Sequence, residues 1–388
     1  MFSSRLDWDL RPNRLSALLE EKRRAGAPIL DLTASNPTQA GLSYPSAEIL
    51  AALGDARALG YEPAPAGAPE ARGAVAAYYA ARGAEVAEDR ITIAASTSEA
   101  YAYLFKLLGD PGDQVLAPRP SYPLFEFLAR LESVDAVAYP LEYDGAWRID
   151  FPALEAAIGP HTRAVVVVNP NNPTGSFLKT AELEHLTALA AERGLALISD
   201  EVFADYAFAP DAARAATVAG VTGALAFSLS GLSKTAGLPQ VKLGWIATAG
   251  PAPLAAAAQA RLELIADTYL SASASAQYGA ARLLAAGAGV RERIRERTRA
   301  NLGWLRGAVK GSAASLLEVE GGWYATLEVP RTRSEEEWAL ALLGSDGVLV
   351  QPGYFYDFES EAFLIVSLLT PPETFLEGAG RLLARLSE

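Results

Sequence analysis

The sequence predicts an α/β fold: a mostly parallel sheet flanked by helices, with a smaller α+β domain. Three observations carry this. Between Arg90 and Thr248, short β-branched runs alternate with helical stretches, the pattern of βαβ units. The run Ala164 to Val168 (AVVVV) is apolar at every residue, as expected of a strand covered on both faces. Beyond Pro251 the order changes to long helices, then strands, then a closing helix.

Taken in order, a helical pattern from Asn13 to Ala25 precedes a short apolar strand, Ile29 to Leu32, and the loop ASNPTQAGLSYP. Arg90 to Ala94 reads as a strand, followed by a helix from Thr97 to Leu108. A strand at Gln114 to Ala117, a helix at Leu124 to Leu131 and a strand at Val134 to Tyr139 continue the alternation. After AVVVV, a helix from Ala181 to Arg193 leads to strands at Leu195 to Ser199, Leu225 to Ser230 and Leu243 to Thr248. Long helices follow at Pro253 to Ile265 and Ser275 to Leu305, the second carrying the charged run RERIRERTRANL. Strand-like segments at Leu317 to Val319, Trp323 to Val329, Gly347 to Val350 and Phe363 to Leu368 precede a final helix, Pro372 to Leu386. The expected organisation is an arm (1–45, with part of the small domain), a large domain (46–280) and a small C-terminal domain (281–388). Parallel strands joined by helices gather ligands at their carboxyl ends, so chemistry is expected there.

The 388 residues are 51% hydrophobic, enough for a sizeable core. Lys and Arg number 33 against 46 Asp and Glu, a net −13, which argues against a nucleic-acid partner. There is no cysteine and only two histidines, His161 and His185. Disulfides, thiolate nucleophiles and cysteine-based metal sites are excluded, and no metal site is expected. The start lacks an apolar signal core, and no uncharged apolar run reaches the roughly 18 residues of a membrane span. A cytoplasmic protein without a membrane partner is expected, with chemistry from Lys, Asp, Tyr, Ser or a cofactor.

One segment stands out, FSLSGLSKTAGLPQVKLGW, Phe227 to Trp245. A strand ends at Ser230, and Lys234 follows in a loop of small residues. Burial there lowers an amine's pKa, and a neutral amine forms a Schiff base with an aldehyde. A solvated loop lysine is the plain alternative. Asp200 ends the apolar strand LALIS. Ser96, Thr97 and Ser98 open a helix after a strand, and Ser96 with Glu99 has capping-box spacing. That turn is an ordinary cap, an anion site, or both.

SLSGLSKTAGLPQVKLGW resembles the cofactor-lysine segment of fold-type-I pyridoxal-phosphate enzymes, the class I/II aminotransferases. GYEPAPAGAPEARGAVAAYY, PRPSYP, NPNNPTG and SDEVFADY resemble further motifs of that family, in the family's order, from about Leu30 to the C-terminus. The resemblance implies the cofactor pyridoxal 5'-phosphate, joined to Lys234 as an internal aldimine. It also implies a ping-pong transfer of an amino group from an amino acid or amine to a 2-oxo acid. Asp200 matches the aspartate at the pyridine nitrogen, and Asn172 the asparagine at the phenolic oxygen. Tyr122 matches the aromatic that lies on the ring. Ser96, Thr97, Ser98, Ser230, Ser233 and Lys242 stand around the implied phosphate site, with Lys242 where most relatives have arginine. Tyr61 matches a tyrosine that reaches the neighbouring subunit's phosphate, which implies a homodimer with shared sites. A lyase, decarboxylase or racemase of the same fold remains open, as does a ligand-binding protein without turnover.

Three positions depart from the pattern. Phe203 stands where relatives carry tyrosine, and Ser35 where they carry glycine. Ile365, in FLIVSLLT, stands where they carry the arginine that grips a substrate carboxylate. No arginine lies between Arg333 and Arg381. Either another cation such as Arg119 replaces it, or the substrate lacks an ordinary α-carboxylate.

Overall fold

A computed structural model describes the whole chain, Met1–Glu388. Helix α1 (Arg14–Arg24) starts where the Asn13 side chain accepts the Ser16 N–H, a regular N-cap. Strand β1 (Leu30–Asp31) and helices α2 (Ser46–Leu53) and α3 (Pro69–Ala80) follow. Next come β2 (Ile91–Ala94), α4 (Thr97–Leu108), β3 (Gln114–Arg119), α5 (Leu124–Leu131) and β4 (Asp135–Tyr143). After these lie β5 (Trp147–Ile149), α6 (Phe151–Ala157), β6 (Thr162–Val168), α7 (Thr180–Arg193) and β7 (Ala196–Asp200). Strand β8 (Ala226–Gly231), α8 (Leu232–Thr235) and β9 (Gly244–Ala249) complete this part.

Strands β2 to β9 form one eight-stranded sheet in the order β2-β9-β8-β7-β6-β3-β4-β5. The run β8-β7-β6-β3-β4 is parallel. Strand β9 runs antiparallel to both its neighbours, because the short Lys234 loop is no crossover helix and simply turns the chain back. Strand β5 forms an antiparallel edge with β4. Separate apolar layers cover the faces: Tyr101, Phe105 and Leu262 in one, Leu154, Leu186 and Leu197 in another. That is why AVVVV needs no polar alternation.

Helices α9 (Ala252–Asp267) and α10 (Ala274–Ala308) lead into the smaller unit. It contains β10 (Ser315–Leu316), β11 (Tyr324–Glu328), α11 (Glu335–Ala341), β12 (Val348–Leu349), β13 (Gln351–Pro352), β14 (Phe363–Ser367) and α12 (Pro372–Leu386). Its antiparallel sheet has the order β10-β11-β14-β13, and β1 pairs in parallel with β12. The N-terminal arm thereby joins this unit, where Leu15 and Leu32 share a core with Trp338, Leu364 and Phe375. The position expected to divide large from small domain, 280/281, lies inside the continuous α10.

Two strand expectations change. Leu317 to Val319 is not a strand, since β10 ends at Leu316 and the chain turns toward the large sheet. The expected strand at Gly347 to Val350 is shortened to β12, after which β13 joins the other sheet. No helix is long and apolar enough to cross a membrane.

Candidate active site

Strand register brings the sequence candidates to one level. Val168 pairs with Asp200, and Asp200 with Leu229. Ala94, Gly244 and Gly231 lie side by side across β2, β9 and β8. The carboxyl ends of β2, β6, β7 and β8 thus open on the same edge, where open α/β sheets gather ligands.

Close approach of backbone makes the β2 end and the Lys234 loop neighbours. A Cβ on Gly244 would lie 2.9 Å from the carbonyl carbon of Ser96, and one on Gly231 would lie 2.8 Å from the Leu243 oxygen. Only glycine fits at either place. The α4 N-terminus is docked there. Ser96 Oγ accepts the Glu99 N–H at 3.2 Å, while Glu99 Oε2 accepts the Ala95 N–H at 2.6 Å. Ser96 is therefore a cap, and Thr97 and Ser98 are half-buried on the first turn. Ser230 is buried with its Oγ unpartnered, Ser233 is half-buried, and Lys242 is exposed in a left-handed conformation (φ 59°).

Lys234 lies on the single turn α8, and three carbonyls on this turn and just after it are each taken by a distant side chain. The Tyr206 hydroxyl donates to Lys234 O at 2.5 Å, Arg291 Nη1 to Thr235 O at 2.9 Å, and the Tyr44 hydroxyl to Gly237 O at 2.8 Å. The lysine's amine is 4.7 Å from the Trp323 ring centre and 5.7 Å from that of Phe203. Burial pushes its pKa down to about 8, and the Asp200 carboxylate partly opposes this. Asp200 shifts the other way, up to about 6, chiefly by burial. The Val202 N–H (3.1 Å) and the Tyr101 hydroxyl (3.4 Å) donate to it and limit the rise.

The asparagines of NPNNPTG divide their work. Asn169 bonds the Ala215 carbonyl and the Leu178 N–H, and Asn171 bonds the Pro120 carbonyl. Asn172 is buried with its Oδ1 unpartnered, an arrangement that buried polar atoms avoid unless a ligand completes them. Tyr122 is half-exposed, its hydroxyl pKa raised by burial and by the Asp200 carboxylate. Tyr61 lies apart from these residues, 82% exposed, and lines a cleft with Tyr103 and Tyr278.

Beyond Phe203 and Ile365, the aromatic wall of the site is not marked by the sequence motifs. Phe203, Tyr206, Trp323, Tyr324, Tyr356 and Ile365 form one cluster, with Trp323 edge-on to Phe203 at 5.2 Å. Trp323 is aimed by a latch. Glu320 accepts the Phe177 N–H at 2.7 Å and pairs with Lys179 and Arg214, while Gly321 N–H donates to Gly175 O at 3.0 Å. The only sequence signal was the Gly-Gly-aromatic run GGWY at a strand start. Ile365 is fully buried on β14 between Thr326 and Gln351, and Gln351 accepts the Tyr356 hydroxyl. Arg119 lines a crevice with Tyr122, Phe125 and Asp357, its Nε buried without a partner.

The family described as "Aminotransferase class I and II" matches residues 27–382. The chain belongs to this family. Similar curated proteins include the glutamate-pyruvate aminotransferase AlaA of Escherichia coli (strain K12), 31% identical over 280 residues, spanning 71% of this chain and 69% of that one. The tyrosine aminotransferase of Homo sapiens is 28% identical over 254 residues, 62% of this chain and 56% of the other. Among solved structures, an Escherichia coli aminotransferase superposes with a TM-score of 0.86 at 25% identity, covering 100% of this chain and 98% of that one. The alanine aminotransferase of Pyrococcus furiosus has the same fold, with a TM-score of 0.89 at 21% identity over 100% and 99% of the two chains. This class I and II aminotransferase is a pyridoxal-phosphate-dependent transaminase that uses a small-molecule amino donor and an oxo acceptor.

Proposed function

We propose that this aminotransferase works through Lys234 as the cofactor-bearing lysine and general base, with Asp200 as its electrostatic partner. The observation carrying the proposal is an amine lowered to about 8, lodged between Trp323, Phe203 and Asp200 at the sheet's carboxyl edge. Pyridoxal phosphate, when bound, supplies an electron sink for negative charge on the donor's α-carbon. The unpartnered Ser230 Oγ and the close-packed Gly231 and Gly244 support the fit. Thr97, Ser98, Ser230, Ser233 and Lys242 would hold its phosphate, Asn172 its phenolic oxygen, Asp200 its ring nitrogen and Tyr122 its face. Ser96 acts there through the helix turn it caps rather than through its hydroxyl.

Lys234 Nζ, about half of it uncharged at pH 8, takes a proton from the donor's α-carbon and returns it on the other side of the transfer. Trp323 and Phe203 keep water away from that amine. Borohydride reduction of the protein with its coenzyme should leave a pyridoxyl mass on the Lys234 peptide. A colourless, unlabelled protein would sink the assignment. Donor alone should yield one equivalent of oxo product per site, with more only when an oxo acid is added. Continuous release without acceptor would favour a lyase.

Ile365, buried in the aromatic cluster, is neutral where the family pattern has arginine. A bidentate guanidinium grip on a carboxylate is a strong, charge-assisted contact worth about 1.5–3 kcal/mol. Without one at Ile365, the ratio of kcat/KM between an α-amino acid and its carboxylate-free amine should stay within about tenfold. A ratio above about a hundred would show that another cation does the work.

The same proposal includes the arm, large-domain and small-domain division, residence in the cytoplasm, and a homodimer in which Tyr61 completes the partner's site. Its exposure, beside the exposed Leu59, supports the last point.

A further inference from the structure

Helix α4 approaches the proposed cofactor site twice. Its first turn carries Ser96, Thr97 and Ser98. About one turn later, Tyr101 points from the same helix to Asp200, and its hydroxyl lies 3.4 Å from Oδ2. The ring is 2% exposed, set edge-on to Phe125 at 5.3 Å and tilted on Phe105 at 5.7 Å. A buried phenol needs a partner, and Asp200 is the partner this one has. Such contacts are commonly long before a ligand is bound and tighten afterwards.

We propose that Tyr101 is a positioning residue that holds the Asp200 carboxylate ionised and oriented toward the cofactor's ring nitrogen. This rests on the pyridoxal-phosphate reading of the site. Asp200 Oδ1 is held by the Val202 N–H and Oδ2 by Tyr101, so both oxygens are fixed before a ligand arrives. Each remains able to accept a further bond, because a carboxylate oxygen has two lone pairs. The other charged or titratable groups that Asp200 feels are Glu201, Lys234 and Tyr122. Glu201 is committed elsewhere, to the Thr217 hydroxyl and the Val218 N–H. Lys234 is reserved for the aldehyde end. Tyr101 is thus the one side chain hydrogen-bonded to Asp200.

The test is Tyr101→Phe, which keeps the ring and its aromatic contacts. With ¹⁵N-labelled coenzyme, the ring-nitrogen resonance should move toward its unprotonated position, and the coenzyme dissociation constant should rise about tenfold. In the coenzyme-free variant, the ¹³C-carboxyl titration of Asp200 should move to higher pH than in the wild type. A resonance, dissociation constant and titration all equal to wild type would overturn the proposal while leaving the cofactor reading intact, provided wild type is trapped at Lys234 by borohydride. A wild type that cannot be trapped would overturn both.

Discussion

Lys234 and Asp200 each lose part of their charge to burial, and each restores part of the other's. For the lysine this gives a pH dependence of definite sign. In the coenzyme-free protein, reaction of the amine with an electrophile should rise with a midpoint near pH 8, well below its ordinary 10.5. Asp200→Asn removes the charge that opposes burial, so the midpoint should move lower still. A midpoint that stays near 10.5 in wild type, or rises in the variant, would contradict the geometry. Between those pH values the unfolded chain binds more protons at this residue, so its contribution to stability grows as pH rises. Lys234, Asp200 and Asn172 were legible in the sequence because each follows a strand in a recognisable motif. Tyr101 was not, because nothing local marks a tyrosine whose partner lies 99 residues away. For the three hydroxyls of Ser96 to Ser98 the sequence left a cap and an anion site both open, and geometry gives the cap to Ser96.

Among the elements, the helix α4 and the strand pair β8–β9 depend on contact without side chains. Gly244→Ala would press a methyl against Ser96, and overpacking of this kind costs about 1–3 kcal/mol. Urea unfolding should show that loss, together with weaker coenzyme binding; full stability would mean the helix can slide aside. The charged stretch of α10 has a comparable role on the opposite side. Arg291, Arg293, Arg295 and Arg297 donate to the carbonyls of Thr235, Ser43, Asp205 and Ala40 in turn. The pattern RERIRERTR read as a charged helix, which it is. Its targets were invisible, since backbone carbonyls of loops leave no mark in a sequence. Arg291→Ala should lower stability by about 1–3 kcal/mol with an unchanged urea slope. It should also shift the titration of the Lys234 amine, which a purely surface arginine would leave alone.

For the whole molecule, the alternation of strands and helices announces a mostly parallel large sheet, whereas its order, its antiparallel β9 and β5, and the smaller sheet's order are beyond its reach. The smaller sheet joins β11 and β13 to β14, and β1 reaches β12 in a separate two-stranded sheet, contacts set by packing rather than by local pattern. The Glu320 latch across the two units is of the same kind. Glu320→Gln should weaken it and raise KM for the donor several-fold, more than kcat changes, because Trp323 would be less firmly held. Equal changes in both would point to a damaged fold instead. The shared-site proposal has its own measurement: mixing Lys234→Ala and Tyr61→Ala chains, each poorly active, should recover activity as mixed dimers form. No recovery, despite mixed dimers on the gel, would confine each site to one subunit. The three side chains that grip the carbonyls behind Lys234 come from positions 44, 206 and 291, so this lysine is ordinary until nearly the whole polypeptide has folded around it. Vitamin uptake should then be a late event in maturation, and during refolding the yellow colour should lag well behind the return of helical signal.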